Sequence, residues 1–283
     1  MAELLSLSDA IEQLVHDGDS VALEGFTHLI PFAAGHEILR QRRRGLHLIR
    51  MTPDLICDQM IGMGCAAHLT FSWGGNPGVG SLHRLRDALE RQWPQPLTIT
   101  ERTHAEMGVA YQAGASGLPC GLMRHYADTD LDRASPEPVR KFTCPVSGAT
   151  LRAVPAIAPD VTILHAQQAD AEGNVLIRGI IGAAREAALA ARCLLVTVER
   201  QVERLEAPPN AVVLPHWIIR AVSIVPGGAH PSYAAGCYPR DNRFYLEWDE
   251  IARERGRFEQ WMQQFVLGST DHAELLRRLK VAQ

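Results

Sequence analysis

Asp17-Gly18-Asp19-Ser20-Val21-Ala22-Leu23-Glu24-Gly25-Phe26 is the stretch that decides the fold class. A glycine between two aspartates favours a turn over continued helix. The run from Ser20 to Phe26 then has the length and apolar content of a short buried strand. Upstream, Ser6-Leu7-Ser8-Asp9 predicts a helix start, because a serine hydroxyl accepts from open backbone donors and Asp9 supports the positive end. Ala10, Ile11, Leu14 and Val15 mark one face of that helix. A helix therefore feeds a strand.

The alternation continues downstream. Leu46 to Met51, Leu69 to Trp73 and Leu97 to Thr100 are strand-like, and Leu82 to Arg91 has helical apolar spacing. Such alternation predicts a parallel sheet with helical crossovers. Residues 140 to 157 change character: Phe142 to Pro145, a Ser147-Gly148 turn and Leu151 to Val154 predict an antiparallel hairpin. Val161 to His165, Cys193 to Val198, Val212 to Leu214 and Ile218 to Val225 are further strands, with a helix over Ala183 to Ala191. Helices are expected from Asn242 to Arg255, from Phe258 to Phe265, and from Leu275 to Leu279 after a Thr270-Asp271 cap. The expectation is an α/β protein: an open, mostly parallel sheet with helices on both faces plus an antiparallel hairpin, in one domain spanning residues 1–283.

Composition narrows the function. The chain has 283 residues, 46% hydrophobic and 21% charged, which is that of an ordinary globular protein and excludes wholesale disorder. A formal net charge of -4 argues against a nucleic-acid partner, which demands a basic surface. Arg40, Arg42, Arg43 and Arg44 are the local exception, open to two readings: a solvated helix end, or contact with a phosphate-bearing ligand such as coenzyme A. The cysteines Cys57, Cys65, Cys120, Cys144, Cys193 and Cys237 are scattered, with no metal-ligand spacing, and reduced thiols are expected. With no basic, apolar leader and no apolar run of about eighteen residues, a cytoplasmic protein without a membrane span is expected.

Four segments hold candidate chemistry. Glu24-Gly25-Phe26-Thr27-His28-Leu29-Ile30-Pro31 follows the first strand, where open α/β sheets bind ligands; an ordinary strand-to-helix turn is the alternative. Phe71-Ser72-Trp73-Gly74-Gly75-Asn76-Pro77-Gly78-Val79-Gly80 is the most glycine-dense stretch, and its backbone entropy cost points to an unusual φ or close ligand approach rather than a buried wide turn supporting Trp73. Glu101-Arg102-Thr103-His104-Ala105-Glu106-Met107 places two carboxylates and an imidazole at a helix start, suited equally to acid–base work and to helix capping. Pro226-Gly227-Gly228-Ala229-His230-Pro231-Ser232-Tyr233, with Tyr238-Pro239-Arg240-Asp241 shortly after, lines a pocket or makes a tight turn. Nothing in spacing alone names a substrate.

The order of four stretches does. Asp17 to Phe26 before Pro31, Ser72 to Asn76, His165-Ala166-Gln167-Gln168-Ala169-Asp170-Ala171-Glu172-Gly173-Asn174, and Gly228 to Ser232 together resemble the A-type (alpha) subunits of family I coenzyme A transferases, particularly the glutaconate CoA-transferase type, almost end to end. The resemblance implies the family I fold and a B-type partner subunit in a heterodimer or heterotetramer. It implies acyl-CoA and carboxylate substrates, with coenzyme A as substrate and no permanently bound cofactor or metal. It also implies a ping-pong exchange through a glutamyl-CoA thioester. In two-subunit members the nucleophilic glutamate lies in a Ser-Glu-Asn-Gly-like motif of the B-type chain, and that motif is absent here. Glu24 stands where A-type chains often carry glycine, so it does not inherit the role.

The A-type chain is expected to line the acyl pocket with Gly25, Phe26, Ser72, Trp73, Gly74, Gly75, Asn76, His104, His230 and Ser232, the backbone donors of the glycine-rich loop facing the thioester oxyanion. A related branch, the ring-opening acyl-CoA hydrolases of steroid breakdown, implicates an acid on the A-type chain, for which Glu106, or else Glu101, is the candidate. A non-catalytic acyl-CoA binding protein is the third reading.

Overall fold

The computed structural model describes residues 2–76, 79–124, 130 and 140–281. Its principal sheet has ten strands. In chain order they are β1 (Glu3–Leu4), β2 (Ser20–Leu23), β3 (Leu46–Ile49), β4 (Ala66–Phe71), β5 (Thr98–Glu101), then β9 (Val161–Ala169), β10 (Val175–Ile177), β11 (Cys193–Gln201), β12 (Val212–Leu214) and β13 (Ala221–Ile224). Eight of them run parallel in the order β1-β13-β11-β9-β2-β3-β4-β5. β10 pairs antiparallel with β9, and β12 pairs antiparallel with β10. From β2 the chain steps outward one way through β3, β4 and β5, and from β9 the other way through β11 and β13. The order reverses between β2 and β9, and in open α/β sheets the crevice beyond the carboxyl ends of the strands at such a reversal is where ligands bind.

Burial on both faces explains the strand sequences. Val21 and Leu23 join one apolar cluster while Ala22 joins another on the opposite face, and Leu48 and Ile49 divide the same way. Helices α1 (Leu7–Leu14), α2 (Phe32–Arg40), α3 (Leu55–Gly62) and α4 (His83–Arg91) belong to the first face with the carboxyl-terminal helices α7 (Asn242–Arg253), α8 (Arg255–Trp261) and α9 (His272–Arg278). There Trp248 stacks against Phe244 and meets Trp261 edge-on at 5.0 Å between centroids. Helices α5 (His104–Ala115) and α6 (Ala184–Ala190) cover the other face. The expected hairpin forms from β7 (Arg140–Thr143) and β8 (Thr150–Pro155), and β6 (Cys120–Arg124) joins it as a third antiparallel strand.

Three local readings change. The strand expected from Ile218 begins at Ala221, because His216–Ile218 is a 3-10 turn. The helix expected from Phe258 to Phe265 is α-helical from Arg255 and widens into a π turn over Met262–Leu267. α3 has no sequence signature, since all eight of its residues are buried and no polar face marks its period. The cap at Ser6 and the cap at Asp271 are both present. The glycine-rich stretch is described except for Pro77 and Gly78, which lie outside the described residues.

One buried carboxylate joins two helices. The residue before α4 is Leu82, which has no capping side chain, and Asp58 of α3 supplies the acceptor instead. Its Oδ1 takes the N–H groups of Arg84 and Leu85, each at 2.9 Å. Burial pushes the Asp58 carboxyl up to about 7, against those two bonds and the Arg84 cation. The folded state therefore holds this proton more tightly than the unfolded chain, so the group's contribution is greatest below an unfolded value near 3.8 and is lost as pH rises through about 7. Asp58→Asn keeps the acceptor and removes the titration. Urea unfolding at about pH 4 and about pH 8 is expected to show the variant gaining on the wild type by on the order of 2–4 kcal/mol across that window. A difference that does not move with pH would remove Asp58 as the source.

Candidate functional site

The turn after β2 is held from beneath by Arg50, which follows β3 and is fully buried. Its guanidinium donates to the carbonyls of Leu23, Gly25 (2.8 Å) and Thr52 (3.0 Å) and to the Asp54 carboxylate at 3.2 Å. Next to it Glu24 points inward. Its Oε1 accepts from the Tyr111 hydroxyl at 2.7 Å and from the Met51 N–H at 2.9 Å. Burial raises the Glu24 carboxyl above its ordinary value despite the Arg50 cation. A carboxylate so enclosed, 3% exposed, presents no face to a substrate.

Above this floor, side chains from three strand ends meet. Ser72, after β4, donates from Oγ to the Met51 carbonyl at 2.7 Å and lies 3.1 Å from Nδ1 of His104, the first residue of α5. The Phe26 ring, after β2, meets the His104 ring edge-on with centroids 6.0 Å apart. His104 is exposed, so the cluster faces solvent at the carboxyl edge of the sheet. Gly182, in the loop before α6, closes on Phe26: a Cβ there would lie 2.7 Å from the Phe26 Cβ. Gly25, Phe26, Ser72 and His104 are thus brought together, although they are up to 79 residues apart in sequence, counted from position 25 to position 104.

The rest of the glycine-rich loop is arranged differently from expectation. The N–H groups of Ser72 and Trp73 are engaged by Met51 O, at 3.1 and 3.4 Å, and that of Gly75 by Pro53 O at 3.1 Å. Those three are not open donors for an oxyanion, and the Ser72 hydroxyl and the His104 imidazole are the polar side chains beside them. Gly75 is explained by Trp73, whose ring would sit 2.9 Å from any Cβ at that position. Gly74 would meet only ordinary contacts with Leu82 and Leu85. Trp73 is about half exposed, at 47%. Asn76 is buried with no partner for its side-chain amide among the described residues.

His230 and Ser232 stand apart from Ser72 and His104. His230 Nε2 is 3.1 Å from Asp241 Oδ2, and burial holds its imidazole below the ordinary value. Ser232 is fully buried, accepts from the Ile30 N–H at 3.4 Å and donates to Tyr233 O at 3.3 Å. Leu29 N–H bonds to Tyr233 O and Ala33 N–H to Gly228 O. This segment braces the Phe26–Pro31 turn from behind.

Glu106 has both oxygens engaged. Oε2 accepts from the Thr103 N–H at 2.8 Å, completing a capping box at the start of α5. Oε1 pairs with Arg152 Nε of β8 at 2.7 Å, and the residue is 1% exposed. Glu101 is exposed at the end of β5. Among the described residues no group of three or more His, Cys, Asp or Glu side chains is arranged to hold a metal ion, and no helix is long and apolar enough to cross a membrane.

The sequence pattern described as coenzyme A transferase matches residues 4–224. The chain belongs to the coenzyme A transferase family. Within that family it is 57% identical over 279 residues to the A-type subunit of the 3-oxoadipate CoA-transferase of Pseudomonas knackmussii (strain DSM 6978 / B13), covering 99% of both chains. It is 31% identical over 299 residues to the A-type subunit of the glutaconate CoA-transferase of Acidaminococcus fermentans, covering 99% of this chain and 92% of that one. The crystal structure of glutaconate coenzyme A-transferase from that organism superposes with a TM-score of 0.90 at 29% identity, over 99% of this chain and 93% of that chain. The cholesterol ring-cleaving hydrolase IpdA subunit of Rhodococcus jostii (strain RHA1) is 27% identical over 287 residues, covering 94% and 93% of the two chains.

The family membership accords with an α/β fold whose quoted stretches are mainly structural. Asp170 accepts from the N–H groups of Glu172 and Asn174 and from the Asn174 amide, forming a closed turn with Gly173 at φ +91°. His165 is buried between Thr197 and Glu199, at 2.8 and 2.6 Å. Sequence reasoning missed Arg50 and Tyr111, which lie inside apolar strand and helix segments and carry no spacing signal.

Gly25 is at φ +153°, and a Cβ there would lie 2.6 Å from Leu29 O and 2.8 Å from His28 O. Gly25→Ala is therefore expected to displace the Phe26–Pro31 turn and to lower coenzyme A exchange by this chain with a B-type partner by about tenfold or more. Initial-rate assays check this, and unchanged rates would show that the turn does not position the site.

Proposed function

We propose that this chain is the A-type subunit of a two-subunit transferase that moves coenzyme A between an acyl-CoA and a carboxylic acid, with 3-oxoadipate, at once a dicarboxylate and a 3-oxo acid, as the acid. The carrying observation is the 57% identity, over 99% of both chains, to the A-type subunit of a 3-oxoadipate CoA-transferase. The nucleophilic glutamate then belongs to the B-type partner. Geometry supports this division. Glu24 is enclosed by Tyr111, Met51 and Arg50, and Glu106 is held by Thr103 and Arg152, so neither carboxylate is free to attack a thioester.

In this reading the chain contributes one wall of a shared site. The Ser72 hydroxyl and the His104 imidazole, 3.1 Å apart, contact the acyl group or the carboxylate, and Phe26 and Trp73 supply apolar surface beside them. Coenzyme A is a substrate and passes between the two carboxylates through the partner's glutamyl thioester. No resident cofactor enters the scheme. The assembly is a heterodimer or heterotetramer working in the cytoplasm.

Mixing this chain with its B-type partner, an acyl-CoA and 3-oxoadipate is expected to give coenzyme A exchange, followed by chromatography of the thioesters. Exchange by this chain alone would overturn the placement of the nucleophile. A pair that exchanges other acids but not 3-oxoadipate would overturn the substrate, and stoichiometric thioester binding without exchange would favour a non-catalytic binding protein.

The ring-opening hydrolase reading rests on the Rhodococcus relative and turns on Glu106. Glu106→Gln keeps the hydrogen bond to Thr103 and removes the ion pair with Arg152. The transferase reading expects the pair to retain turnover within about threefold, while the variant loses about 1–3 kcal/mol of stability by denaturant unfolding. Loss of turnover by about a hundredfold or more, with the fold intact, would make Glu106 the acid instead.

A further inference from the structure

The arginine run lies at the other end of the sheet from Ser72 and His104. Arg40 ends α2, residues 41–45 lead into the amino end of β3, and Arg44 donates to the carbonyl of Met63, just before β4. Arg40, Arg42, Arg43, Arg44, Ser269 and Thr270 line a cavity of about 470 Å³ there. Arg42 and Arg44 are exposed, whereas Arg40 and Arg43 are partly enclosed. The Arg40 side chain is 9% exposed, and its Nη2 is buried without a partner. Arg43 Nε is likewise buried without a partner, as is the hydroxyl of Ser269, a residue only 2% exposed.

Charge at the cavity is one-sided. Glu37 neutralises Arg40 at 2.8 Å, and Glu274 is taken by Arg278 at 2.6 Å. Asp17 accepts from the main-chain N–H of Arg44 at 2.7 Å. No carboxylate ion-pairs with Arg42, Arg43 or Arg44 among the described residues. The chain also sets these groups rather than trailing them. Arg43 N–H returns to Ile38 O and Arg42 N–H to Leu39 O, a closed helix ending in which Arg42 takes φ +58°.

The side chains of Arg42, Arg43 and Arg44, none ion-paired with a carboxylate among the described residues, line one positive cavity and make a receptor for a compact, multiply charged anion with several acceptor oxygens. We propose that this cavity binds a phosphate group, at a site separate from the crevice at the carboxyl ends of the strands. β3 and β4, four and six residues long, separate the two places. An anion here would tie the α2 ending to the segment between Leu267 and Thr270.

Inorganic pyrophosphate, titrated calorimetrically into the full chain and into its complex with the B-type partner at about 0.15 M salt, is the probe. Saturable binding to one site per chain is expected, weakened about tenfold or more by Arg43→Gln and by less in Arg43→Lys, which keeps the charge, with smaller losses for Arg42→Gln and Ser269→Ala. Arg42 is exposed, so Arg42→Gln reports on binding without disturbing the fold. Ser72→Ala is expected to leave pyrophosphate binding unchanged. Displacement by coenzyme A but not by dephospho-coenzyme A would identify a nucleotide 3′-phosphate as the occupant, and displacement by neither would identify a free phosphate anion. No saturable binding, binding indifferent to Arg43→Gln and Ser269→Ala, or binding lost in Ser72→Ala would each overturn the proposal.

Discussion

A buried guanidinium fixes the place where this fold does its work. Arg50 gathers the carbonyls of Leu23, Gly25 and Thr52 and the carboxylate of Asp54. Carbonyls at strand ends normally face water, and here three converge on one cation with a counter-ion beside it. Arginine suits the task because its planar fork meets several acceptors at once and stays charged when buried. The ends of β2 and β3 are thereby locked in register at the point where the sheet order reverses. Everything at the crevice is referenced to that lock: Glu24 behind it, the Phe26 turn above it, and Ser72 through the Met51 carbonyl.

The carboxylates near the crevice follow from the same constraint. A buried carboxylate is tolerated only when its oxygens are matched by donors or cations, and each such match removes an oxygen from chemistry. Glu24 is matched by Tyr111 and a backbone N–H, and Glu106 by a helix start and Arg152. Both hold elements together: Glu24 links the β2 end to α5, and Glu106 links α5 to the small antiparallel sheet. A chain whose Glu24 and Glu106 are so engaged suits a reaction in which a second subunit brings the attacking carboxylate and this one brings shape, a hydroxyl and an imidazole.

Much of the architecture was legible because burial writes itself into local pattern. Short apolar runs bounded by Gly, Asp and Asn gave the parallel strands, since a strand covered on both faces has no polar alternation to blur it. The Ser147-Gly148 turn gave the hairpin, with Gly148 at φ +70°. α3 escaped notice for the same reason that the strands were visible: burial all round erases the stripe by which a helix is recognised. In the site, glycine density marked a crowded loop, but the sequence did not show that Gly75 is required by the Trp73 ring or that Met51 and Pro53 on a neighbouring strand end take three of its backbone donors.

By itself the sequence determined the α/β alternation, the cap at Ser6, the hairpin and, through four stretches in order, the family. These depend on neighbours within a few residues, or on a string of such neighbourhoods, and local patterns carry them. Only the tertiary structure decided which of the singled-out residues meet. Phe26, Ser72 and His104 converge because three parallel strands end at one edge, while His230 and Ser232 fall behind the turn and Arg40 to Arg44 at the far edge. Parallel strands return every crossover to the same end of the sheet, so proximity is set by strand order, which no local pattern encodes.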